Sequence, residues 1–288
     1  MSQANPDHDR YSYEPFTQHA FYTAVNAALV ERAIAQLMTA RHQQQLRIVD
    51  LGCGIGTITQ LILEALERHR CPATVLGIDP SAEALMLAEQ RFGGSRSAVH
   101  FLQGDAAILA QLAHKVDGLF FCNAIHLVPD KRAVLEQIAA ALLPGGLFAC
   151  NSTFFMGAYV PGTERFYQMY MRGALGWLRR EHPQVRLARE EKALARQWLS
   201  PEEYAVLLHQ QGFGILSSEV EEVLMPLGSW QDISRYWLFI EGALPGVPLA
   251  AGAEALVNSA TRVFADLDLT TVPRNWLQLV AQRGPGLR

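Results

Sequence analysis

The stretch that decides the fold is RIVDLGCGIGT, which runs from Arg47 to Thr57. It reads as an apolar strand, then three glycines at alternate positions (Gly52, Gly54 and Gly56), then the start of an apolar helix. Glycine has no Cβ, so it adopts positive φ and lets the backbone lie close to a ligand. The helix that follows presents unpaired N–H groups and a positive dipole end to the turn. The stretch therefore predicts a nucleotide-binding turn.

The spacing of the glycines separates two classes of ligand. A dinucleotide fingerprint requires a glycine three positions after the second one, and this chain has Thr57 there. Asp50 ends the strand two residues before the first glycine, where a carboxylate can meet a cationic ammonium group rather than a phosphate. The pattern thus argues against a nicotinamide-dependent oxidoreductase, which is kept as a competing class.

The pattern Asp50-x-Gly52-x-Gly54-x-Gly56 resembles the first motif of the class I S-adenosylmethionine-dependent methyltransferases. Four further segments follow in the order of that family, within the range from residue 47 to residue 153: GIDPS at 77–81, QGDA at 103–106, FFCNAIH at 120–126 and LPGGL at 143–147. The chain after about residue 154 resembles the family only loosely.

The resemblance implies an α/β fold, a doubly wound, seven-stranded and mostly parallel sheet whose last strand is antiparallel. The alternating pattern predicts strands at residues 46–51, 73–79, 98–102, 116–122 and 146–153, followed by 215–224 and 275–282. It predicts helices at residues 57–69, 81–92, 106–113, 130–142 and 200–211. Ligands of such sheets lie beyond the carboxyl ends of the strands.

The predicted organisation has four parts. Residues 1–14 form a disordered or partly ordered arm, and residues 15–153 form the cofactor-binding core. Two helical inserts, residues 154–198 after strand 5 and 228–268 between strands 6 and 7, cap the substrate side. The remaining ranges complete the sheet, namely residues 199–227 and 269–288.

Composition limits the function classes. The net charge of −4 over 288 residues gives no general attraction to nucleic acid, and no apolar run is long enough to span a bilayer. We therefore expect a cytoplasmic protein, a monomer or homodimer, whose partner is a small-molecule methyl acceptor. The histidines show no metal-binding spacing, so no metal is predicted. Buried free thiols are predicted for the cysteines, Cys53, Cys71, Cys122 and Cys150.

The resemblance assigns S-adenosyl-L-methionine as cofactor. It implies that Asp79 holds both ribose hydroxyls, that Asp105 contacts adenine and that Asp50 orients the methionine end. Each acid has a structural alternative: Asp79 as N-cap of the 81–92 helix, Asp105 as a turn or N-cap residue, and Asp50 as a cap of the glycine turn. The complete predicted cofactor set is Asp50, Gly52, Cys53, Gly54, Gly56, Asp79, Pro80, Asp105, Ala106, Asn123, Tyr13 and Tyr22.

His126 is the candidate general base, because it follows the fourth strand on the side where the acceptor is expected. A packed loop histidine is the alternative. Tyr13 and Tyr22 either bond the cofactor or staple the first helix to the sheet. The aromatic residues after strand 5 form either a lid over an apolar substrate or ordinary core; the predicted substrate contacts are His126, Phe154, Phe155, Tyr159, Tyr167 and Tyr170. The basic stretch at 172–196 is either a solvated face or an anion site.

These observations predict an S-adenosylmethionine-dependent methyltransferase that acts on a small, largely apolar metabolite at oxygen. The alternatives are a C-methyltransferase and a non-methylating, S-adenosylmethionine-binding cyclase of the same fold, since fold does not fix function.

Overall fold

The computed structural model describes residues 12–40, 45–93, 98–188 and 198–285. The chain divides into two compact units. The first, called here the sheet unit, comprises Ala24–Phe155, Leu199–Glu221 and Trp276–Arg288. The second, called the helical unit, comprises Met1–Thr23, Met156–Trp198 and Glu222–Asn275.

Within the described residues, seven strands form one sheet in the order β3-β2-β1-β4-β5-β7-β6. The strands are β1 (Leu46–Leu51), β2 (Ala73–Asp79), β3 (Val99–Gln103), β4 (Val116–Cys122), β5 (Leu142–Ser152), β6 (Phe213–Pro226) and β7 (Thr271–Arg283). The pairs β1–β2, β1–β4, β2–β3 and β4–β5 are parallel, whereas β7 runs antiparallel to β5. The predicted fold class and the antiparallel last strand are confirmed.

The helices alternate with the first five strands and then dominate the later part of the chain. They are α1 (Glu14–Thr17), α2 (Ala20–Ala40), α3 (Thr57–Arg68), α4 (Ala82–Phe92), α5 (Lys131–Ala141), α6 (Glu164–Glu181), α7 (Pro201–Gln210), α8 (Leu227–Ile233), α9 (Trp237–Ala243) and α10 (Leu249–Asp266). Side chains cap α4, α5 and α7 at Ser81, Asp130 and Ser200. At α7 a capping box is complete, with Ser200 and Glu203 each bonding the other's backbone N–H.

The core of the sheet unit forms where α2 and α3 cover the central strands. Leu29 and Ile34 of α2 and Ile62 of α3 are fully buried in one cluster with Ile48 of β1 and Phe120 of β4. The apolar spacing of the two helices supplies these contacts, since each helix turns one continuous apolar stripe toward the sheet. The carboxyl ends of β1, β2 and β4 are thereby held at one edge of a rigid sheet.

Two predicted elements need correction. The segment predicted as a helix at 106–113 is a short 3₁₀ helix, Ala106–Gln111, which ends where Leu112 has extended backbone angles. Strand β5 begins at Leu142 rather than at residue 146, since Leu142 pairs with Val116 before the register shifts. The backbone at Pro144–Gly146 is therefore an irregularity within β5, and Gly145 has a φ of +77°.

The helical unit has its own core, built where α6 packs against α8 and α10. The ring of Phe166 lies edge-on to Trp230, with centroids 4.7 Å apart. The Ser259 hydroxyl donates a hydrogen bond of 2.6 Å to the carbonyl of Tyr170. Gly173 permits this close approach, because a Cβ there would lie 2.2 Å from the Ser259 oxygen.

The two predicted inserts meet in this helical unit, together with residues 12–23, which were predicted as arm and core. The rest of the predicted arm lies outside the described residues, as does the 189–197 part of the basic stretch. That the inserts cap the substrate side stays a prediction.

The prediction that the cysteines are buried free thiols is confirmed. Each of the four cysteines is buried and free. In the part of the chain that the structure describes, no group of three or more His, Cys, Asp or Glu side chains is arranged to hold a metal ion. None of the described helices combines the length and hydropathy needed to cross a bilayer.

Candidate functional site

The turn between β1 and α3 has the conformation that its glycines predict. Gly52, Gly54 and Gly56 have φ values of +70°, +53° and +83°, a region that side chains with a Cβ rarely adopt. The N–H groups of Gly52 and Cys53 both donate to the carbonyl of Ile78, at 2.7 and 3.1 Å. The turn is thus fastened to the end of β2, where the predicted ribose-binding acid lies.

The glycines differ in what surrounds them. A Cβ on Gly54 would have no atom within 4 Å, so this side of the backbone is open to a ligand. A Cβ on Gly56 would lie 2.5 Å from the ring of Phe92. Gly56 is therefore required by packing, and Gly54 is the glycine at which a cofactor can approach the main chain.

Asp79 holds the glycine turn. Its Oδ2 accepts a hydrogen bond of 2.8 Å from the N–H of Gly54, and its Oδ1 accepts one of 2.9 Å from the N–H of Ser81. Burial raises the pKa of Asp79, and the two N–H groups oppose that shift. The N-cap of α4 is Ser81, not Asp79, so the capping alternative for Asp79 is wrong. Pro80 follows Asp79, and its carbonyl accepts from Gln103 Nε2 at 3.1 Å.

Asp50 lies at the end of β1 with 1% of its surface exposed. Its Oδ2 accepts a hydrogen bond of 2.6 Å from the hydroxyl of Thr59, whereas its buried Oδ1 has no hydrogen-bond partner in the described structure. The pKa of Asp50 is raised to about 7, chiefly by burial; the bond from Thr59 opposes this shift and the charge of Asp79 adds to it. An orphaned carboxylate oxygen at this depth is costly without a partner, which is the requirement that a bound cation meets.

The thiol of Cys53 lies within the same turn. Burial raises the pKa of this thiol most, and the negative charges of Asp50 and Asp79 raise it further. The group is therefore neutral, and a Cβ on Gly77 would lie 2.9 Å from its sulfur. Cys53 packs the turn against β2 and offers no reactive thiolate.

Asp105 is exposed and caps the 3₁₀ helix that starts at Ala106. Its Oδ1 accepts a hydrogen bond of 2.8 Å from the N–H of Ala107. The structural alternative for Asp105 is thus present, and the adenine contact stays a prediction. Ala106 is buried directly behind the cap.

Asn123 is the centre of a buried amide network just past β4. Its φ of +55° is uncommon for a residue with a side chain. Its Nδ2 donates to Asn26 Oδ1 at 3.0 Å, and its Oδ1 accepts from the indole N–H of Trp276 at 3.0 Å. Asn151 joins from β5, donating to the same Asn26 oxygen at 2.8 Å. The network fixes the loop that leads to His126.

His126 is buried, with 4% of its surface exposed, in a short 3₁₀ turn (Ile125–Leu127). Its Nδ1 lies 3.0 Å from the Ser152 hydroxyl, which accepts a hydrogen bond of 2.9 Å from the N–H of Phe154. The ring of Phe154 tilts against the imidazole, with centroids 4.4 Å apart. Two of the predicted substrate contacts, His126 and Phe154, therefore touch each other. Phe155, another predicted substrate contact, is buried.

The sequence analysis missed three residues of this part of the site, namely Asn26, Asn151 and Ser152. A signal existed for two of them, because an amide at position 26 interrupts the apolar pattern of α2 and another at position 151 interrupts an apolar strand. The pairing of Ser152 with His126 had no local signal, since the two residues are 26 positions apart.

The remaining predicted residues belong to the helical unit. The ring of Tyr13 lies 5.8 Å from that of Tyr22 and 4.9 Å from that of Tyr236. Desolvation raises the pKa of Tyr13, so the hydroxyl is a neutral hydrogen-bonding group. Both Tyr13 and Tyr22 contact Phe16 of the same unit. Their contact with cofactor and the stapling of the first helix onto the sheet both stay predictions.

Tyr159 and Tyr167 are in contact with each other and with Arg274, which the sequence analysis did not identify. The two tyrosine rings lie 4.2 Å apart, and Arg274 Nη1 donates to the Tyr167 hydroxyl at 3.0 Å. Tyr170 differs from both, because it is buried and its hydroxyl lies 2.6 Å from that of Ser234. These contacts give Tyr170 a structural role. They do not support its predicted contact with the substrate, which stays a prediction.

The structure places this protein in the class of doubly wound α/β proteins that have a glycine turn after the first strand. Residues 49–148 match the family model described as a methyltransferase domain. This match spans about a third of the chain and agrees with the predicted resemblance to methyltransferases. The match covers the turn, Asp79, Asp105 and His126.

Curated relatives that are named as methyltransferases match the chain over a similar length. A malonyl-[acyl-carrier protein] O-methyltransferase from Chlorobium luteolum is 33% identical over 131 residues, 43% of this chain and 49% of the relative. A trans-aconitate 2-methyltransferase from Azoarcus sp. strain BH72 is 38% identical over 103 residues, 35% of this chain and 37% of the relative. The chain thus spans half or less of the length of these relatives.

Solved structures share the fold over most of the chain. The [4+2]-cyclase SpnF superposes with a TM-score of 0.54 at 16% identity, covering 92% of this chain and 82% of that one. The plantazolicin methyltransferase BamL, solved with a desmethyl substrate analogue and SAH, superposes with a TM-score of 0.53 at 17% identity, covering 98% and 92%. At such identities these likenesses establish the architecture alone.

Proposed function

We propose that this protein transfers the methyl group of S-adenosyl-L-methionine to an oxygen atom of a small, largely apolar metabolite. The observation that carries the proposal is the turn itself: Gly54 is open to a ligand on its Cβ side, and Asp79 and Asp50 flank it. The methyltransferase domain match and the SAH bound to BamL support this cofactor.

The residues present fit the parts of this cofactor. The orphaned Oδ1 of Asp50 suits the ammonium of the methionine end, since a buried carboxylate oxygen is stabilised by a cationic donor. The two oxygens of Asp79 each accept one backbone bond and keep a lone pair for a ribose hydroxyl. Once bound, the sulfonium supplies an activated methyl group, and the protein's task is positioning and exclusion of water.

His126 is proposed to take the proton of the acceptor hydroxyl. The Ser152 hydroxyl accepts a hydrogen bond from the N–H of Phe154. Toward His126, the same hydroxyl either donates its own proton to Nδ1 or accepts the proton that Nδ1 carries. Only the second arrangement leaves Nε2 as a base, so the direction of this bond decides the role of His126. An acceptor that is already a carboxylate at neutral pH requires no base.

The names of the two curated relatives favour oxygen and an acidic acceptor. One acts on a malonyl group at oxygen and the other on trans-aconitate, both of which contain carboxyl groups. Carboxylate oxygen therefore joins hydroxyl oxygen as a candidate acceptor atom.

Incubation of the purified protein with methyl-labelled cofactor and fractionated small metabolites tests the proposal. We expect label in a small product, and alkaline hydrolysis that releases the label as methanol identifies a methyl ester. Label that resists hydrolysis of ethers and esters indicates carbon or nitrogen as the acceptor, and mass spectrometry of the product distinguishes the two. Cofactor binding in calorimetry, combined with conversion of a metabolite without transfer of label, indicates the cyclase alternative. Absence of any heat with the cofactor or with SAH contradicts the whole proposal.

A further inference from the structure

Ser152 is the last residue of β5, and only 1% of it is exposed. Its hydroxyl oxygen accepts a hydrogen bond of 2.9 Å from the backbone N–H of Phe154 and lies 3.0 Å from His126 Nδ1. Among the described residues, the hydroxyl makes these two hydrogen-bonding contacts. It is therefore held between a backbone donor and an imidazole nitrogen, all within the sheet unit.

The hydroxyl proton of Ser152 needs an acceptor. The N–H of Phe154 is itself a donor and cannot accept that proton. His126 Nδ1 is the acceptor that the described structure provides. A buried donor left without an acceptor is destabilising by about 1–3 kcal/mol, and buried polar groups are rarely unpaired. The accounting therefore makes Ser152 the donor and Nδ1 the acceptor.

The space beside Ser152 offers no alternative acceptor. A narrow cavity lies next to it, lined also by Ile125, Tyr204 and Leu277 of the sheet unit. The cavity has no room for a water molecule, and in the described structure the buried phenol oxygen of Tyr204 makes no hydrogen bond. Neither solvent nor this phenol takes the proton of Ser152.

The direction of the bond fixes the tautomer of His126. A neutral imidazole carries one proton, and the nitrogen that accepts a hydrogen bond is the one without it. Because Nδ1 accepts from Ser152, the proton lies on Nε2. The tautomer follows from the partners of Ser152, so further contacts of the imidazole do not alter it. Adding a proton at Nδ1 would leave the Ser152 proton unpaired, so the same bond disfavours the cationic imidazole.

An imidazole protonated at Nε2 cannot act as a base through that nitrogen. A hydroxyl acceptor releases one proton for each methyl group that it gains, and this proton requires a base. A carboxylate oxygen forms its bond to the methyl carbon while the bond from that carbon to sulfur breaks, with the electron pair left on sulfur. No proton is released, and carboxyl groups are already ionised at neutral pH. Of the two oxygens, the carboxylate is the one that needs no base.

We propose that Ser152 is a positioning residue that holds His126 in the tautomer protonated at Nε2, and that the methyl acceptor is consequently a carboxylate oxygen. The second part rests on the proposed function and selects one of its two candidate acceptor oxygens. The base role of His126 belongs to a hydroxyl acceptor alone and is not used. The product is a methyl ester.

NMR of the full chain, with nitrogen-15 in its histidine rings, tests the tautomer. Long-range correlations between ring protons and nitrogens distinguish a nitrogen that carries a proton from one that does not. His126→Gln identifies the signals of this residue among the nine histidines. In the wild type we expect a preference of about tenfold or more for the proton on Nε2, as one hydrogen bond of about 1.4 kcal/mol provides.

Two substitutions of Ser152 separate positioning from packing. Ser152→Thr keeps a hydroxyl and is expected to retain the wild-type tautomer. Ser152→Ala removes the donor and is expected to reduce the preference to about twofold or less. The matched control is Ser218→Ala at an exposed position of β6, which leaves the spectrum of His126 unchanged. A proton on Nδ1 in the wild type overturns the proposal, even if Ser152→Ala does not fold, and so does an unchanged preference in Ser152→Ala.

Proton release during methyl transfer tests the class of acceptor. The wild-type protein is given labelled cofactor and the metabolite fraction that accepts label, in weakly buffered solution with a pH indicator. We expect no proton release above that of the reaction without protein, and label that alkali releases as methanol. Release of one proton per methyl group overturns the carboxylate acceptor and leaves methyl transfer standing. Absence of transfer to any fraction contradicts the proposed function, whereas the tautomer is decided by NMR without turnover.

Discussion

Two regions of the molecule are built in opposite ways. One is the glycine turn of the sheet unit, and the other, called here the Arg274 cluster, consists of Arg274, Tyr159 and Tyr167 of the helical unit. The turn uses backbone N–H groups and two carboxylates that come from one short stretch, residues 50–79. The Arg274 cluster uses side chains that are more than a hundred positions apart, such as Arg274 and Tyr167. The first offers hydrogen-bond acceptors, which suit a ligand that carries a cation and hydroxyl groups, whereas the second is held together by contacts between long side chains.

This contrast indicates which properties each region controls. A turn defined by main-chain geometry tolerates few ligands, since the backbone must fit against one shape. A cluster of long side chains adapts more readily to different molecules of the same charge. We therefore expect the sheet unit to specify the cofactor.

The largest expected effect tests the acceptor groups of the turn. Asp79→Ala removes a buried carboxylate that bonds Gly54 and is predicted to bond two ribose hydroxyls. Loss of two charge-assisted bonds is expected to weaken cofactor binding by about 100-fold or more, measured by calorimetry. Asp79→Asn keeps one acceptor oxygen and is expected to retain part of the affinity. Retention of wild-type affinity within twofold by Asp79→Ala would remove this residue from the ribose site.

The second effect concerns catalysis in the sheet unit. His126→Ala is expected to lower the rate of methyl transfer by about 100-fold if the imidazole is the base. Ser152→Ala is the control, because it removes the hydrogen bond at Nδ1 and leaves the imidazole in place. Rates measured from pH 5 to 9 distinguish a base from a structural residue. A small loss of rate in His126→Ala, with an unchanged pH profile, would indicate that His126 has a structural role.

A third comparison separates two glycines of the same turn. Gly56→Ala is expected to lower the free energy of unfolding by about 2–3 kcal/mol, because its new Cβ meets the ring of Phe92 at positive φ. Gly54→Ala has room around its Cβ, so its stability loss is expected to be about 1 kcal/mol while cofactor binding falls. Urea denaturation and calorimetry check both variants. Equal losses of stability would mean that the two glycines do not differ in role.

A pH-dependent effect follows from the buried Asp50. Its folded pKa of about 7 exceeds that of the unfolded chain, so the protonated group stabilises the fold at low pH and that contribution is lost as pH rises through about 7. The stability of Asp50→Asn relative to wild type is therefore expected to increase by about 2 kcal/mol between pH 5 and pH 8. Urea denaturation of both proteins at the two pH values measures this difference. A constant difference would place the Asp50 pKa outside that interval.

The smallest effect tests the interior of the helical unit. Tyr170→Phe removes the hydroxyl that bonds Ser234 and is expected to lower the free energy of unfolding by about 1 kcal/mol. Methyl transfer is expected to stay within twofold of wild type, since the contacts of Tyr170 are internal to that unit. A strong loss of activity at unchanged melting temperature would return Tyr170 to the substrate contacts.

The sequence predicted what depends on local spacing. The glycine turn, Asp50 and Asp79 lie in adjacent strands of an alternating α/β pattern, and that pattern alone predicts where the strand ends meet. The 3₁₀ helix after Asp105 escaped prediction because apolar spacing over so short a segment does not distinguish a 3₁₀ helix from an α-helix. Arg274 escaped because only the folded backbone pairs it with Tyr159, and an isolated basic residue near a strand has no distinctive pattern.

The amide network around Asn123 has a consequence for how this protein folds. Its hydrogen bonds join Asn26 to Asn151 and Asn123 to Trp276, across sequence separations of 125 and 153 residues. Contacts between residues so far apart in the sequence form slowly, because the entropy cost of closing a long loop comes before the contacts can stabilise the structure. We expect the loop that carries His126 to gain its native shape late, after the parallel strands have assembled. During refolding, cofactor affinity should then recover before activity does.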